Sequence, residues 1–244
     1  VTQKCVEINA SAKRGAAADD QVTADIVHLA AEKAIESAGI DRETLDYVIV
    51  AHNYGDVLHG SNRVDMVPCL AARVKHKLGI KNPFTVAHDV PFGCPGWVQA
   101  MIQANYFLRS GDAKRILVAG GDILSRVSDP HDRDCMIFAD GAAAVILEAQ
   151  ESDEPVGMLA HKTRSDTFLY SKMLQAGPSL NPAEYADTGN LYTRMNGRRL
   201  YMYALENVPT AIKACLDAAN LHLSDISKVL IHQANGKMDD AILE

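Results

Sequence analysis

Apolar positions along this chain alternate between two periods. Over 22–38 they fall at helical spacing and stop at Gly39, a residue suited to the left-handed conformation that closes a helix. A continuous β-branched run follows at 45–51 (LDYVIVA), with the length and composition of a buried strand. The same reading predicts helices over 68–78 and 97–110, stopped by Gly79 and Gly111, and strands over 84–90, 115–119 and 142–148. Asp140-Gly141 between apolar runs predicts a tight turn. The first twenty residues, polar and Ala-rich with a Lys13-Arg14 pair, read as a loop or a frayed start.

Beyond the acidic stretch at 151–154 the pattern restarts. Residues 156–162 are a candidate strand, and 165–193 read as a polar, irregular insertion with Gly and Pro. A long helical pattern spans 198–219, where Pro209 predicts a kink or a break. The apolar run 228–231 (KVLI) predicts a strand that ends in His232-Gln-Ala-Asn235, and Gly236 opens another helix. Helix, polar connection and strand at 22–51 are repeated at 198–231. This predicts a duplicated α/β unit with helices layered on sheets, divided as domains 1–150 and 151–244.

Length and composition narrow the function classes. The 244 residues suffice for a sizeable core, and 48% hydrophobic with 23% charged residues is an ordinary globular balance. A net charge of −7 argues against nucleic acid as a partner. The five cysteines form no CxxC pair and no regular spacing, so neither a metal site nor a disulfide framework is expected. With no signal-peptide pattern and no apolar run of bilayer length, the sequence predicts a cytoplasmic protein that does not enter a membrane.

One cysteine stands apart from the others. In Val86-Ala-His-Asp-Val-Pro-Phe-Gly-Cys94-Pro-Gly-Trp97 a strand-like run ends at Gly93, and Pro95-Gly96 leads into a helix. That places Cys94 at a strand-to-helix turn, its sulfur near a helix N-terminus, where the dipole favours a thiolate and acyl-transfer chemistry finds its nucleophile. Free cysteines are more often small core residues, and Cys69 and Cys215, inside helical patterns, fit that role. His232 is a second polar group delivered by a buried strand, at the kind of sheet edge where α/β sites form. Gln233 and Asn235 also fit simple loop capping.

Five blocks in order, Asp89-Val-Pro-Phe-Gly-Cys94-Pro-Gly, Leu117-Val-Ala-Gly-Gly-Asp122, Ser128-Asp-Pro-His-Asp-Arg133, Phe138-Ala-Asp-Gly141-Ala-Ala and Ile231-His-Gln-Ala-Asn235, resemble β-ketoacyl-acyl-carrier-protein synthase III, a thiolase-fold condensing enzyme. The resemblance runs from about Thr23 to the last residue. It implies a layered α-β-α-β-α architecture with the second half incomplete. It also implies a decarboxylating Claisen condensation of an acyl-CoA with malonyl-acyl carrier protein in fatty acid biosynthesis. In that chemistry Cys94 takes the acyl group and its own N–H helps hold the oxyanion, while His232 and a partner asparagine stabilise the enolate. Arg133 matches an arginine that contacts the CoA adenine, and Lys237 a basic residue near the carrier entrance. Solvated surface charge is the competing reading for both. The resemblance also implies a homodimer joined through a sheet edge, with 115–119 and the cysteine-bearing strand as candidates, and no cofactor beyond acyl-CoA as substrate.

Departures from the family pattern carry expectations of their own. Pro95-Gly96-Trp97 stands where the bacterial chain-initiating enzymes usually show Ala-Gly-Phe, so Trp97 is expected to reshape the acyl pocket. The family extends further at both ends. Its partner asparagine and glycine-rich strand come after the HQAN block, and Asn235 is not that asparagine. The sequence therefore reads as a truncated synthase with impaired condensation. Two other readings stand beside it. One is a thiolase-fold acyltransferase to oxygen or nitrogen without decarboxylation, and the other is a non-catalytic subunit or inert structural fragment. A cysteine hydrolase fits poorly, because no further His–Asp pair is evident as a base.

Overall fold

The computed structural model describes residues 14–233 and 235–243. Most of the loop expected over the first twenty residues therefore lies outside the described residues, as do Cys5 and Ala234 of the HQAN block. The described residues form two compact units, one of Gly15–Arg126 with Ala139–Asp153, the other of Val127–Phe138 with the chain from Glu154 onward.

The first unit is a three-layer sandwich. Its helix α1 (Thr23–Ala38) closes at Gly39, whose φ of 64° is left-handed as expected. Strand β1 (Tyr47–His52) follows, then a short antiparallel ribbon of β2 (Asp56–Val57) with β3 (Val64–Asp65), and helix α2 (Leu70–Lys77). Strand β4 (Val86–Pro91) leads to α3 (Gly96–Ser110), and β5 (Arg115–Ile123) pairs with β6 (Asp140–Glu148). The sheet order is β4-β1-β5-β6, with β1 parallel to both neighbours and β6 antiparallel.

Strand alternation divides the core in two. Val48, Val50, Leu117 and Ala119 face Ala24, Val27, Ala31 and Ile35 of α1 and Leu70 and Val74 of α2. Ile49, Ala51, Ile116 and Val118 face Ala100 and Ala104 of α3. Small residues on α3 let it lie close to the sheet. Gly120 and Gly121 continue β5 because each meets a bulky neighbour on its own side. A Cβ on Gly121 would fall 2.5 Å from Val27 Cγ2, and one on Gly120 3.3 Å from the Trp97 ring.

Asp140-Gly141 is not the tight turn its sequence predicts. Both residues belong to β6, opposite Ile123 and Asp122. The Asp140 carboxylate explains this, since it accepts hydrogen bonds from Ala17 N–H, Ser125 N–H and the Ser125 hydroxyl and so ties down the end of β5. The strand at 115–119 proves to be interior, bonded on both sides, so it is not a free edge; among the described residues β4 is one.

In the second unit, 165–193 is more ordered than its polarity suggests. It holds a one-turn helix α4 (Thr167–Tyr170), a hairpin of β7 (Leu174–Pro178) with β8 (Leu191–Met195), and between them α5 (Pro182–Thr188). Helix α6 (Gly197–Ala219) runs unbroken through Pro209 and ends at Asn220 in the left-handed conformation. A last helix, α7 (Gly236–Leu243), packs against α6. The strands expected at 156–162 and 228–231 do not form. A strand needs a neighbour to take its backbone hydrogen bonds, and among the described residues neither segment is paired in a sheet.

Candidate active site

The C-terminal ends of the parallel strands β4, β1 and β5 reach the same edge of the sheet, where open α/β sheets collect their functional groups. Cys94 lies there, in the turn between β4 and α3. Gly93 takes a φ of 73°, a conformation that a residue with a Cβ rarely adopts, and its carbonyl accepts from Gly96 N–H at 2.9 Å to close the turn. Pro95 is the cap residue of α3, which has neither a side-chain cap nor an acidic residue in its first turn. Nothing on the helix itself competes there for the positive end of its dipole.

The surroundings of the thiol act on it in opposite directions. Burial pushes the Cys94 thiol above its ordinary pKa, its own backbone N–H pulls the other way, and the Asp122 carboxylate adds a further upward push. Cys94 is itself exposed, so solvent screens these opposing influences.

Two carboxylates stand on β4 and β5, the strands on either side of β1. Asp122, on β5, accepts from Asn53 N–H at 2.8 Å, from Asn53 Nδ2 at 2.7 Å and from Tyr54 N–H at 3.3 Å. Burial outweighs those donors and pushes its carboxyl up. Asp89, on β4, accepts from His52 Nε2 at 2.8 Å and from Leu70 N–H and Ala71 N–H at 2.7 Å each. It thereby caps α2 from outside the helix. Gly55 N–H donates to His52 Nδ1, so the ring proton sits on Nε2 and goes to Asp89. Burial raises the Asp89 carboxyl, but His52 and the two helix N–H groups outweigh it and hold it below the usual carboxylate range.

His52, Asn53, Asp89 and Asp122 were not singled out from the sequence. The signal was there, since each lies in or just past the end of a buried strand, the same feature that marked Cys94 and His232. Trp97, in the first turn of α3, lays its ring over Gly120 and is 38% exposed.

His232, Asn235, Lys237 and Arg133 all belong to the second unit. His232 is exposed on an irregular segment and near Asp239, whose carboxyl burial pushes up against the pull of His232 and with Asp240 adding to the rise. Asn235 Oδ1 accepts from Lys237 N–H at 3.1 Å and from Met238 N–H at 3.4 Å, so its side chain caps α7. Lys237 is exposed. Arg133 is 90% exposed at its side chain and reaches Asp134 at 3.5 Å. Among the described residues no group of three or more His, Cys, Asp or Glu side chains is placed to hold a metal ion, and no helix is long and apolar enough to cross a membrane.

A family model described as 3-oxoacyl-[acyl-carrier-protein (ACP)] synthase III matches residues 88–167, a span that includes Cys94 and Arg133. The chain is 35% identical over 238 residues to the beta-ketoacyl-[acyl-carrier-protein] synthase III of Erythrobacter litoralis, covering 97% of this chain and 70% of that protein. It is also 35% identical to the protein of the same name from Synechocystis, over 87% of this chain and 62% of the relative, so the chain spans less than two thirds of that protein. Among solved structures, the 3-oxoacyl-(acyl carrier protein) synthase III of Pseudomonas aeruginosa PAO1 superposes with a TM-score of 0.81 at 27% identity, over 97% of this chain and 68% of that one.

Proposed function

Because the chain belongs to the 3-oxoacyl-[acyl-carrier-protein] synthase III family, we propose that it carries out the decarboxylating condensation of an acyl-CoA with malonyl-acyl carrier protein, in fatty acid biosynthesis, through an acyl group held on Cys94. The observation that carries this reading is the Cys94 turn, with a left-handed Gly93 and a helix start that has no side-chain cap.

Cys94 sulfur bonds to the acyl carbon as the bond from that carbon to the CoA sulfur breaks, and the proton Cys94 gives up leaves with the CoA thiol. The Cys94 N–H holds the oxygen of the tetrahedral intermediate. Malonyl-acyl carrier protein then loses its carboxylate as carbon dioxide. Its enolate, stabilised by a proton donor on His232, attacks the acyl carbon, and the bond to Cys94 breaks. Both substrates arrive activated as thioesters, so no separate cofactor is needed. Trp97 shapes the acyl side of the site, and Arg133 and Lys237 meet CoA and the carrier. Asn235, whose oxygen caps α7, acts by setting the start of that helix.

The partner proposed for the exposed β4 edge is a second copy of this chain, since an unpaired edge flanked by Phe84 and Phe92 is a liability in water. A cytoplasmic location accords with free thiols on a catalytic chain. Light scattering that shows only monomer at micromolar concentration sinks the dimer.

Activity is tested by separating the two steps. Cys94→Ala abolishes transfer of a labelled acetyl group from acetyl-CoA, read by intact-protein mass spectrometry. His232→Ala keeps that transfer and lowers carbon dioxide release from malonyl-acyl carrier protein by about 10²–10³. Acylation at Cys69 or Cys215 in place of Cys94 overturns the assignment.

A further inference from the structure

The loop that carries Arg133 is fastened with unusual thoroughness. Asp129 is fully buried, 0% exposed, in a stretch of chain with no regular secondary structure. Its carboxylate accepts from Leu180 N–H at 2.6 Å, from the Ser179 hydroxyl and His131 N–H at 3.0 Å each, and from Arg194 Nη1 at 3.4 Å. Arg194 also holds Asp132 at 2.9 Å, and Asp132 in turn accepts from Asp134 N–H at 3.0 Å. On the other side His131 Nε2 lies 2.7 Å from Glu184 Oε2, and the Tyr192 hydroxyl donates to Glu184 Oε1 at 2.6 Å. Thr193 N–H donates to the Val127 carbonyl at 2.8 Å.

All of these bonds but Tyr192 to Glu184, which braces the β7–α5–β8 segment itself, join the loop to itself or to that segment, and every charged side chain of the loop but one is engaged by them or partly covered. The exception is Arg133, left in solvent. Burying a carboxylate costs free energy that its four donors must offset. What the arrangement does supply is a fixed base for a long, flexible cation. An arginine whose backbone is already immobilised loses less freedom when it binds a ligand.

We propose that Asp129 is a positioning residue for coenzyme A binding, fixing the Val127–Asp134 loop to the β7–β8 hairpin so that Arg133 is presented to the adenine nucleotide. This rests on the reading of Arg133 as a CoA contact. Glu184 and Arg194 are the outer members of the same fastening. Burial tends to raise the Asp129 carboxyl, but its N–H, hydroxyl and arginine partners outweigh it and hold it below the usual range, so at neutral pH the anchor is charged.

Calorimetric binding of CoA, with 4′-phosphopantetheine as a probe that lacks the nucleotide, tests the assignment. Asp129→Asn weakens CoA binding about tenfold and leaves phosphopantetheine binding unchanged. Arg133→Ala does the same, and Asp129→Asn adds nothing in an Arg133→Ala background, because both act through one contact. If Asp129→Asn does not fold, Ser179→Ala and Arg194→Gln carry the same comparison, with a loss of about threefold expected for the single hydroxyl. CoA binding that is absent, or indifferent to Arg133→Ala, overturns the Arg133 reading and this inference with it. Binding that depends on Arg133 but not on the anchor variants overturns the inference alone. So does an anchor loss that adds to Arg133→Ala or falls equally on phosphopantetheine.

Discussion

The segment 22–51 and the segment 198–231 carry the same sequence pattern, an amphipathic helix, a polar connection and a β-branched run, yet they end in different states. In the first, α1 buries Ala24, Val27, Ala31 and Ile35, and β1 buries five of its six residues between two layers. In the second, α6 has no buried residue and the run 228–231 is irregular, with Leu230 80% exposed. Among the described residues, all but three of the buried hydrophobic ones belong to the first unit. Periodicity therefore states which face an element offers, and the surface it meets decides whether that face is buried. The nucleophile stands on the well-buried unit, in the turn between β4, which is paired with β1, and helix α3. His232 and Arg133 depend on local fastening, a cap at Asn235 and a buried carboxylate at Asp129.

The largest effect that would test this contrast is at Asp89. Asp89→Ala removes the partner of a buried His52 and orphans two helix N–H groups at once. A loss of about 3–5 kcal/mol in urea unfolding is expected, with the first unit melting as a whole. A loss below about 1 kcal/mol would mean that water satisfies these groups and that the strand-end cluster does not hold the edge of the sheet together.

Leu117→Ala ranks next. Leu117 is fully buried between α1 and the sheet, and its truncation costs about 2–5 kcal/mol by equilibrium denaturation. The counterpart in the second unit, Leu216→Ala on α6, falls on a helix with no buried residue and costs markedly less. Equal costs would erase the distinction between the units.

How much of this was legible beforehand follows the same division. The helices at 23–38 and 96–110 and the strands at 47–52 and 115–123 were readable because burial on a regular stripe leaves a regular pattern. Gly39 and Gly111 marked helix ends because both take the left-handed conformation there. The β7–β8 hairpin was not readable. Its strands bury only Gly177 and Tyr192, so no alternation shows, and the segment looks like a loop. Asp140-Gly141 has the composition of a turn, but long-range bonds to Ala17 and Ser125 hold it extended. Cys94 announced itself through turn chemistry. The direction of its pKa did not, because desolvation and the Asp122 charge come from tertiary packing that no local window contains.

A smaller effect concerns acid. Asp89 has its folded-state pKa depressed by His52 and the α2 N–H groups. Its stabilising contribution is therefore complete above the ordinary carboxylate pKa and is lost as pH falls through the lower folded value. Stability of the chain measured from pH 6 downward should fall across that window, and Asp89→Asn should flatten the fall while lowering the plateau above it. An unchanged acid limb in the variant would assign the titration to another carboxylate, with Asp129 the next candidate, since it too is held low.

The smallest effect is the sharpest test of the contrast between the two segments. Leu230 is the most exposed apolar residue of a run whose sequence is as strand-like as that of β1, and it is unpaired among the described residues. If the surface a segment meets decides its burial, then Leu230→Asp changes the stability of this chain by no more than about 0.5 kcal/mol, the range of an ordinary surface substitution. The matched change Val50→Asp, placing a carboxylate in the core of the first unit, prevents folding, since an isolated buried charge has no partner there. Hydrogen exchange gives an independent reading, with 228–231 exchanging at the rate of an open segment and 47–52 among the slowest amides. Should Leu230→Asp cost more than about 1 kcal/mol, or should its amides be protected, the run is paired in solution. His232 would then be held by a strand end as Cys94 is, and the two segments would share their states as well as their pattern.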